Sequence, residues 1–241
     1  MYRPSIPVPI GFCLADPEGG FAFQPPRPVF SSREKPLGAR AIQNCPAVNG
    51  LERRLIEIPS PIGIRLGLEE GDEGPELIVD PVGTFAQPDK IAALLSMEPP
   101  ARWRHPKRPV IQLRLPFFFV TDAAAMMNIV PPFLGTGLRR WPGMMVATRI
   151  PVTIWPQDIV WAFEWDKPGE ELVLRQGEPL AYAMFEFDDP NKRPELVEAA
   201  LTPTLDEWRR GMDGIDHLTL EIEETWEQAK HRRPARLMVP L

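Results

Sequence analysis

Proline is the residue that most constrains what this chain can fold into. It occurs 31 times in 241 residues, and its ring fixes one backbone dihedral and removes a hydrogen-bond donor. Prolines recur along most of the length, so few stretches are long enough for an uninterrupted helix. Strands, turns and short helices remain, and a hydrophobic content of 44% is enough to give them a core. We therefore expect a folded, mainly β protein.

The first 50 residues contain nine of the prolines. They are predicted to form an extended or polyproline arm, because no helix fits between them. The arm is too apolar for a solvated linker, so we expect it to lie against the rest of the chain or a neighbouring subunit. Its apolar side chains are Ile6, Val8, Ile10, Phe12, Phe21, Phe23, Val29 and Phe30.

Short β-like runs fill residues 51–188, and the pattern predicts an antiparallel β-sandwich or jelly-roll-like core. The clearest run is 159–165, where large apolar residues alternate with other residues. Its Trp161, Phe163 and Trp165 are interpreted as core, whereas Glu164, on the opposite face, is expected to be exposed. A short helix is predicted at 89–97. The other predicted strands are 54–58, 62–68, 77–79, 110–120, 144–153, 172–174 and 179–187.

The last segment, residues 189–241, is predicted to be helical. A short helix is expected at 194–201 and a longer helical region at 204–231, with a break at Gly211 and Gly214. Thr204 and Glu207 have the spacing of a capping box. The apolar terminus, residues 237–241, is expected to dock. The arm 1–50, the core 51–188 and the helical segment 189–241 are expected to form one structural unit.

Several weak motifs gain weight from their order: Asn44-Cys45-Pro46, a turn at Pro59, Gln112–Phe119, Trp141-Pro142-Gly143, Trp161–Trp165, Leu174–Pro179 and Trp208. In this order the chain resembles an uncharacterised family of bacterial and phage-encoded proteins, known only as a domain of unknown function. The resemblance covers about residues 40 to 210 and implies a β-rich fold, with no activity, substrate or catalytic residue. The chain departs from the family at 147–149, where Ala-Thr-Arg stands in place of acidic residues.

Two basic segments are candidate binding sites, because clustered cations beside an aromatic ring can hold phosphates and stack on a base. The competing interpretation is a solvated loop that keeps sheet edges from pairing. The net charge of −6 argues against nucleic-acid binding by the surface as a whole. The first segment is Arg102, Trp103, Arg104, His105, Lys107 and Arg108, and the second is Arg139, Arg140 and Trp141.

Known catalytic and metal-binding patterns are missing from the sequence. There is no GxSxG, P-loop, GxGxxG or HExxH motif, so no catalytic residue and no cofactor is predicted. The three histidines and two cysteines do not have the spacing of metal ligands or of a disulfide framework. Neither a metal site nor a disulfide is therefore predicted. The apolar runs 115–120 and 126–134 are too short to cross a membrane. No secretion signal is visible, so a cytoplasmic protein or a phage particle component is expected.

Three functions remain open at this point. The leading hypothesis is a non-enzymatic binding or assembly protein that contacts a partner or a second copy through the N-terminal arm. A small-molecule-binding protein or enzyme with its site at the mouth of the sandwich is the first alternative. A cleft lined by Arg114, Arg149 or Glu164 would favour it. Nucleic-acid or phosphate binding by the loop 102–108 is the second alternative.

Overall fold

The structure is a computed structural model that describes residues 5–15, 23–29, 44–71, 74–84, 87–134, 141–167, 169–212 and 222–241. Strands dominate these residues, which confirms the predicted mainly β class. The strands are β1 (Ile6–Leu14), β2 (Arg27–Pro28), β3 (Leu55–Pro59), β4 (Ile64–Gly71), β5 (Gly74–Pro81), β6 (Leu95–Met97), β7 (Val110–Arg114), β8 (Phe117–Val120), β9 (Ala125–Val130), β10 (Gly143–Met145), β11 (Thr148–Ile150), β12 (Val160–Trp165), β13 (Leu172–Leu174), β14 (Pro179–Phe187) and β15 (Lys192–Glu198). The helices are α1 (Pro46–Glu52), α2 (Pro88–Leu94), α3 (Pro203–Met212) and α4 (Ile222–Arg232).

The described strands form four sheets. Sheet I has the order β15-β1-β8, and sheet II the order β10-β12-β7-β6. Sheet III has the order β11-β9-β14-β3-β2, and sheet IV the order β13-β4-β5. The pairing of β1 with β15 is parallel, and the other pairings are antiparallel. Strands close in sequence therefore alternate between sheets, and this brings all four sheets around shared apolar side chains.

The aromatic residues of β12 lie at the centre of the main core, as their alternation predicts. Trp161, Phe163 and Trp165 are fully buried. The rings of Trp161 and Phe163 stack with centroids 5.4 Å apart, and the ring of Trp165 meets Phe163 edge-on at 5.9 Å. Offset stacking and edge contacts are the arrangements that aromatic pairs favour. This stripe is therefore packing, not an open ligand cage.

Sheet I separates two apolar cores. On β8, Phe117 and Phe119 face the main core, while Phe118 and Val120 face a second core under the C-terminal segment. The same alternation on β1 places Ile10 in the main core and Cys13 in the second. A strand that is covered on both faces needs apolar residues at every position. That requirement explains the continuous run of phenylalanines.

The proline-rich β1 is the middle strand of sheet I. Its prolines fall where β1 pairs with β15 alone, because pairing with β8 begins only at Gly11. The carbonyl of Pro9 accepts a hydrogen bond from Thr121 Oγ1 at 2.9 Å, so this backbone edge points away from β15. Proline lacks an N–H and fits a strand only at positions where no ladder bond is required. Other parts of the arm, including Phe21 and Phe30, lie outside the described residues.

Several local predictions are wrong. The run 110–120 is two strands in different sheets, interrupted at Leu115 and Pro116, and 144–153 is likewise divided between β10 and β11. The helix predicted at 194–201 is a strand, because β15 pairs with β1 along its whole length. The helix predicted at 89–97 ends at Leu94, where β6 begins.

The first helix of the C-terminal region begins one residue earlier than predicted. Thr202 Oγ1 accepts a hydrogen bond from the Leu205 amide at 3.2 Å, so Thr202 is the N-cap and Pro203 the first helical residue. The predicted cap, Thr204, lies inside the helix. Residues 213–221, including Gly214 and His217, lie outside the described part of the chain.

The C-terminal tail docks on sheet I, as predicted. Leu237 and Met238 are buried in the second core, and Ala199 forms a β-bridge with Pro240. Asp122 accepts hydrogen bonds from Arg233 Nη2 at 2.6 Å and from the Leu237 amide at 2.8 Å. Both ends of the described chain are therefore built into the same sheet.

Candidate binding surfaces

The basic loop 102–108 lies between β6 and β7. Polar contacts within the loop and to Glu98, the residue that follows β6, hold it in place. The Trp103 indole N–H donates to the carbonyl of Glu98 at 2.7 Å. Arg102 Nη1 lies 3.4 Å from Glu98 Oε2, and the Lys107 amide donates to His105 Nδ1 at 3.2 Å. The indole is thus fixed by a backbone bond. The indole ring is therefore not free to reorient and stack on a base.

Two arginines of this loop pair with a buried carboxylate. Arg104 Nε lies 2.7 Å from Glu164 Oε2, and Arg108 Nη1 lies 3.3 Å from Glu164 Oε1. Arg108 Nε also contacts Asp166 at 2.9 Å. The side chain of Glu164 is only 3% exposed, so its predicted exposure is wrong. The loop covers it, and the charge is tolerated because two guanidinium groups satisfy it.

The second basic segment contributes one described residue. Trp141 is half-buried, and its ring meets Trp161 at 5.6 Å and Phe163 at 6.0 Å, both edge-on. Its ring therefore extends the aromatic core. Arg139 and Arg140 lie outside the described residues.

The arginines that were predicted to mark a ligand-binding cleft are surface ion-pair partners. Arg114 lies 3.5 Å from Asp158, and Arg149 lies 3.1 Å from Glu186. Neither of them lines either of the two grooves described below, and neither does Glu164. No group of three or more metal-ligating side chains occurs in the described residues.

The hairpin of β4 and β5, which we call the acidic hairpin (residues 64–81), is rich in acidic residues. Its sequence contains six acidic residues and Arg65, whereas the whole chain has a net charge of −6. Arg65 lies 3.8 Å from Asp80 and 3.5 Å from Glu171 on the neighbouring turn. The net charge of the rest of the chain is therefore close to zero. The acidic residues are Glu69, Glu70, Asp72, Glu73, Glu76 and Asp80.

The outer edge of β5 is unpaired among the described residues. Ile78 and Val79 are 42% and 37% exposed on this strand, one on each face of the sheet. A groove of about 320 Å³ lies on the outer face, where Gly67 stands opposite Ile78 and contributes no side chain. The sequence analysis predicted two strands in this hairpin, at 62–68 and 77–79. The sequence feature that could have drawn attention to this hairpin is its local net charge, compared with the net charge of the whole chain.

A second groove, of about 490 Å³, lies between α3 and α4. Each helix contributes one face, with residues spaced three and four apart. The α3 residues are Thr204, Glu207, Trp208, Gly211 and Met212, and the α4 residues are Thr225, Gln228, Ala229 and Arg232, with Pro234 beyond. The sequence analysis placed all of these residues except Arg232 and Pro234 in the helical region predicted at 204–231. It had no means of predicting the distance between the two helices.

Comparison of the chain with protein-family models, with characterised proteins and with solved structures yields no match. No helix in the described part of the chain combines the length and the apolarity that a membrane crossing requires.

Proposed function

We propose that this protein is a non-enzymatic binding or assembly protein that binds a basic, extended segment of a protein partner along the outer edge of β5. The observation that supports this proposal is an unpaired strand edge with two exposed apolar residues, set in a hairpin with six acidic residues and one arginine. A free edge offers a row of backbone donors and acceptors to an incoming strand. Peptide recognition by strand addition uses these groups for affinity.

The length of the bound segment follows from two prolines. Pro75 and Pro81 lie near the two ends of β5, and neither can donate a backbone hydrogen bond. Residues 76–80 between them form a pairing edge of about five residues, which is the usual length of a strand. The same prolines limit pairing with arbitrary strands, as natural edges commonly do.

The side chains of β5 define the chemistry of the partner. Glu76, Ile78 and Asp80 alternate along the outer face, with the groove beside Ile78. Opposite charges and apolar pairs stabilise directly opposed positions of neighbouring strands. A segment that alternates basic, apolar and basic residues is therefore complementary. A second copy of β5 is not, because its carboxylates would oppose those of the first.

The N-terminal arm is a weaker candidate for the partner-binding site than the sequence indicated. Its described strand β1 is paired on both sides within its own chain. Partner binding by the arm stays a prediction, as do the sandwich or jelly-roll-like arrangement, the family resemblance and the cytoplasmic or phage-particle setting. Nucleic-acid binding by the loop 102–108 is disfavoured, because Arg102, Arg104 and Arg108 all have carboxylate partners.

A synthetic peptide of alternating lysine and valine, labelled at one end, tests the proposal by fluorescence anisotropy with the full chain. We expect binding that weakens as salt is added, and a loss of about tenfold or more in Ile78→Lys, which places a like charge opposite the peptide. Met144→Lys is the matched control, since Met144 is 49% exposed on another edge strand. It should bind like the unmodified protein.

A second peptide, with proline in place of each valine, has the same charge but cannot pair as a strand. Equal binding of both peptides would show simple charge attraction and overturn strand addition. A homo-oligomer that dissociates in Ile78→Lys, measured by light scattering, would also overturn the choice of a basic partner.

A further inference from the structure

We propose that the groove between α3 and α4 binds a small zwitterion with an apolar body, of the chemical class of a short peptide with free ends. This site is separate from the edge of β5 and does not depend on the function proposed above. A volume of about 490 Å³ lies within the range of small-molecule sites.

The floor of the groove is apolar and fixed in place. Met212 and Ala229 are buried in a cluster with Ile154 and Trp155, and Trp208 packs against it. The Trp208 indole N–H donates to the carbonyl of Ile154 at 3.0 Å, which holds the ring in one orientation. A rigid apolar wall costs little side-chain entropy when a ligand binds. It favours a ligand with an aliphatic or aromatic body.

Two opposite charges line the groove, one from each helix. Glu207 and Arg232 form no ion pair, either with each other or with another described residue. Neighbouring charges on the same helices are paired: Arg210 with Asp206 and Lys230 with Glu227. A ligand that carries both an ammonium and a carboxylate complements Glu207 and Arg232. Arginine in particular suits a carboxylate, which it can bind with two parallel hydrogen bonds.

Gly211 keeps the groove open. A Cβ added at this helical glycine would meet no heavy atom within 4 Å. Glycine within a helix is less favourable than alanine by roughly 0.5–1 kcal/mol, so a larger residue would be preferred if the space needed filling. Because no larger side chain stands at position 211, there is room for a ligand directly above the backbone of α3.

Isothermal titration calorimetry of the full chain with the dipeptide leucyl-phenylalanine tests the site. We expect a Kd below about 1 mM for the free dipeptide. Glu207→Gln should weaken the free dipeptide about tenfold or more but leave its N-acetyl form unaffected. Arg232→Gln should do the same with the C-terminal amide as the unaffected form. Glu224→Gln, on an exposed position of α4 outside the groove, is the matched control.

Gly211→Leu provides the steric test. It should fold normally and abolish binding, because its side chain enters the groove and leucine favours a helix more than glycine does. Gly50→Leu makes the same change in α1, where the added Cβ also meets open space, and should bind normally. No heat at about 1 mM dipeptide would overturn the proposal, and so would unchanged binding by Gly211→Leu or equal affinity for the free and both blocked peptides.

Discussion

At the scale of single residues, the two cysteines differ in ways that their spacing in the sequence does not show. Cys13 is 1% exposed in the second core, and burial raises its pKa to about 11. Cys45 precedes α1, and hydrogen bonds from the amides of Val48 and Ala47 lower its pKa. The thiolate is the reactive form. At neutral pH, therefore, Cys45 carries a larger thiolate fraction than an ordinary cysteine, and Cys13 almost none.

This difference predicts two separate modification steps. A thiol-specific reagent should modify Cys45 quickly in the folded protein, and Cys13 only after denaturant is added. Mass spectrometry of the modified chain, with Cys45→Ser and Cys13→Ser as the two single-site controls, measures each rate. Equal rates in the folded state would contradict the burial of Cys13.

Glu164 is the second residue whose environment has a measurable consequence. Glu164→Gln keeps its size but removes the charge that Arg104 and Arg108 contact. Because both arginines are partly exposed, we expect a loss of about 1–3 kcal/mol in the free energy of unfolding, measured with urea. Glu186→Gln, at the exposed pair with Arg149, is the control and should cost less than about 1 kcal/mol. An equal cost for the two variants would contradict the buried network.

At the scale of elements, the start of α3 gives a direct comparison of two threonines. Thr202→Ala should lower stability by about 1 kcal/mol, because its hydroxyl accepts the Leu205 amide. Thr204→Ala, at the exposed position that the sequence pattern favours as the cap, should change little. Thermal unfolding of both variants measures the difference. The opposite order would restore the capping box predicted from sequence.

Strands whose signal is local could be predicted from the sequence. β12, β13 and β14 were found because alternation and flanking turns are contained within each run. β15 was not, because its Pro194 and its charges resemble a helix start, and its partner β1 lies 186 positions away, with Ile6 opposite Lys192. The run 110–120 was divided incorrectly, since a continuous apolar stretch does not show where a strand leaves one sheet for another.

The candidate sites likewise combine features that are visible locally in the sequence with features that depend on the fold. The charge of the acidic hairpin is local and was available from the sequence. The pairing of Arg104 with Glu164 joins residues 60 positions apart, so the basic loop could be identified but not its neutralisation. The groove between α3 and α4 depends on the placement of two helices, which no pattern within either helix determines.

At the scale of the whole molecule, hydrogen bonds anchor the C-terminal segment to the middle of the chain. Arg233 donates to the carbonyls of Thr153 and Thr121 as well as to Asp122, and its side chain is only 9% exposed. Asp122→Ala removes the carboxylate partner of this arginine and the acceptor of the Leu237 amide. We expect a loss of about 2–3 kcal/mol and earlier proteolysis of the C-terminal tail. Asp188→Ala, at an exposed surface position, should leave tail proteolysis unchanged. Equal proteolysis of the two variants would contradict the docking of the tail by Asp122.

The central position of β1 in sheet I also changes how partner binding must be tested. Deletion of residues 1–30 would remove β1, the middle strand of sheet I, so a loss of binding would report unfolding. Point changes at the edge of β5 avoid this problem, because Ile78 is 42% exposed and β5 has no strand partner on this edge among the described residues.

The most direct measurement of the central claim is hydrogen exchange of the β5 amides, followed by NMR with and without the lysine–valine peptide. Amides on the free edge of a sheet exchange readily, and strand addition buries them in new hydrogen bonds. The account predicts that alternate amides within residues 76–80 gain protection when the peptide binds, while those of the edge strand β10 do not. Binding without new protection at 76–80 would contradict recognition by strand addition.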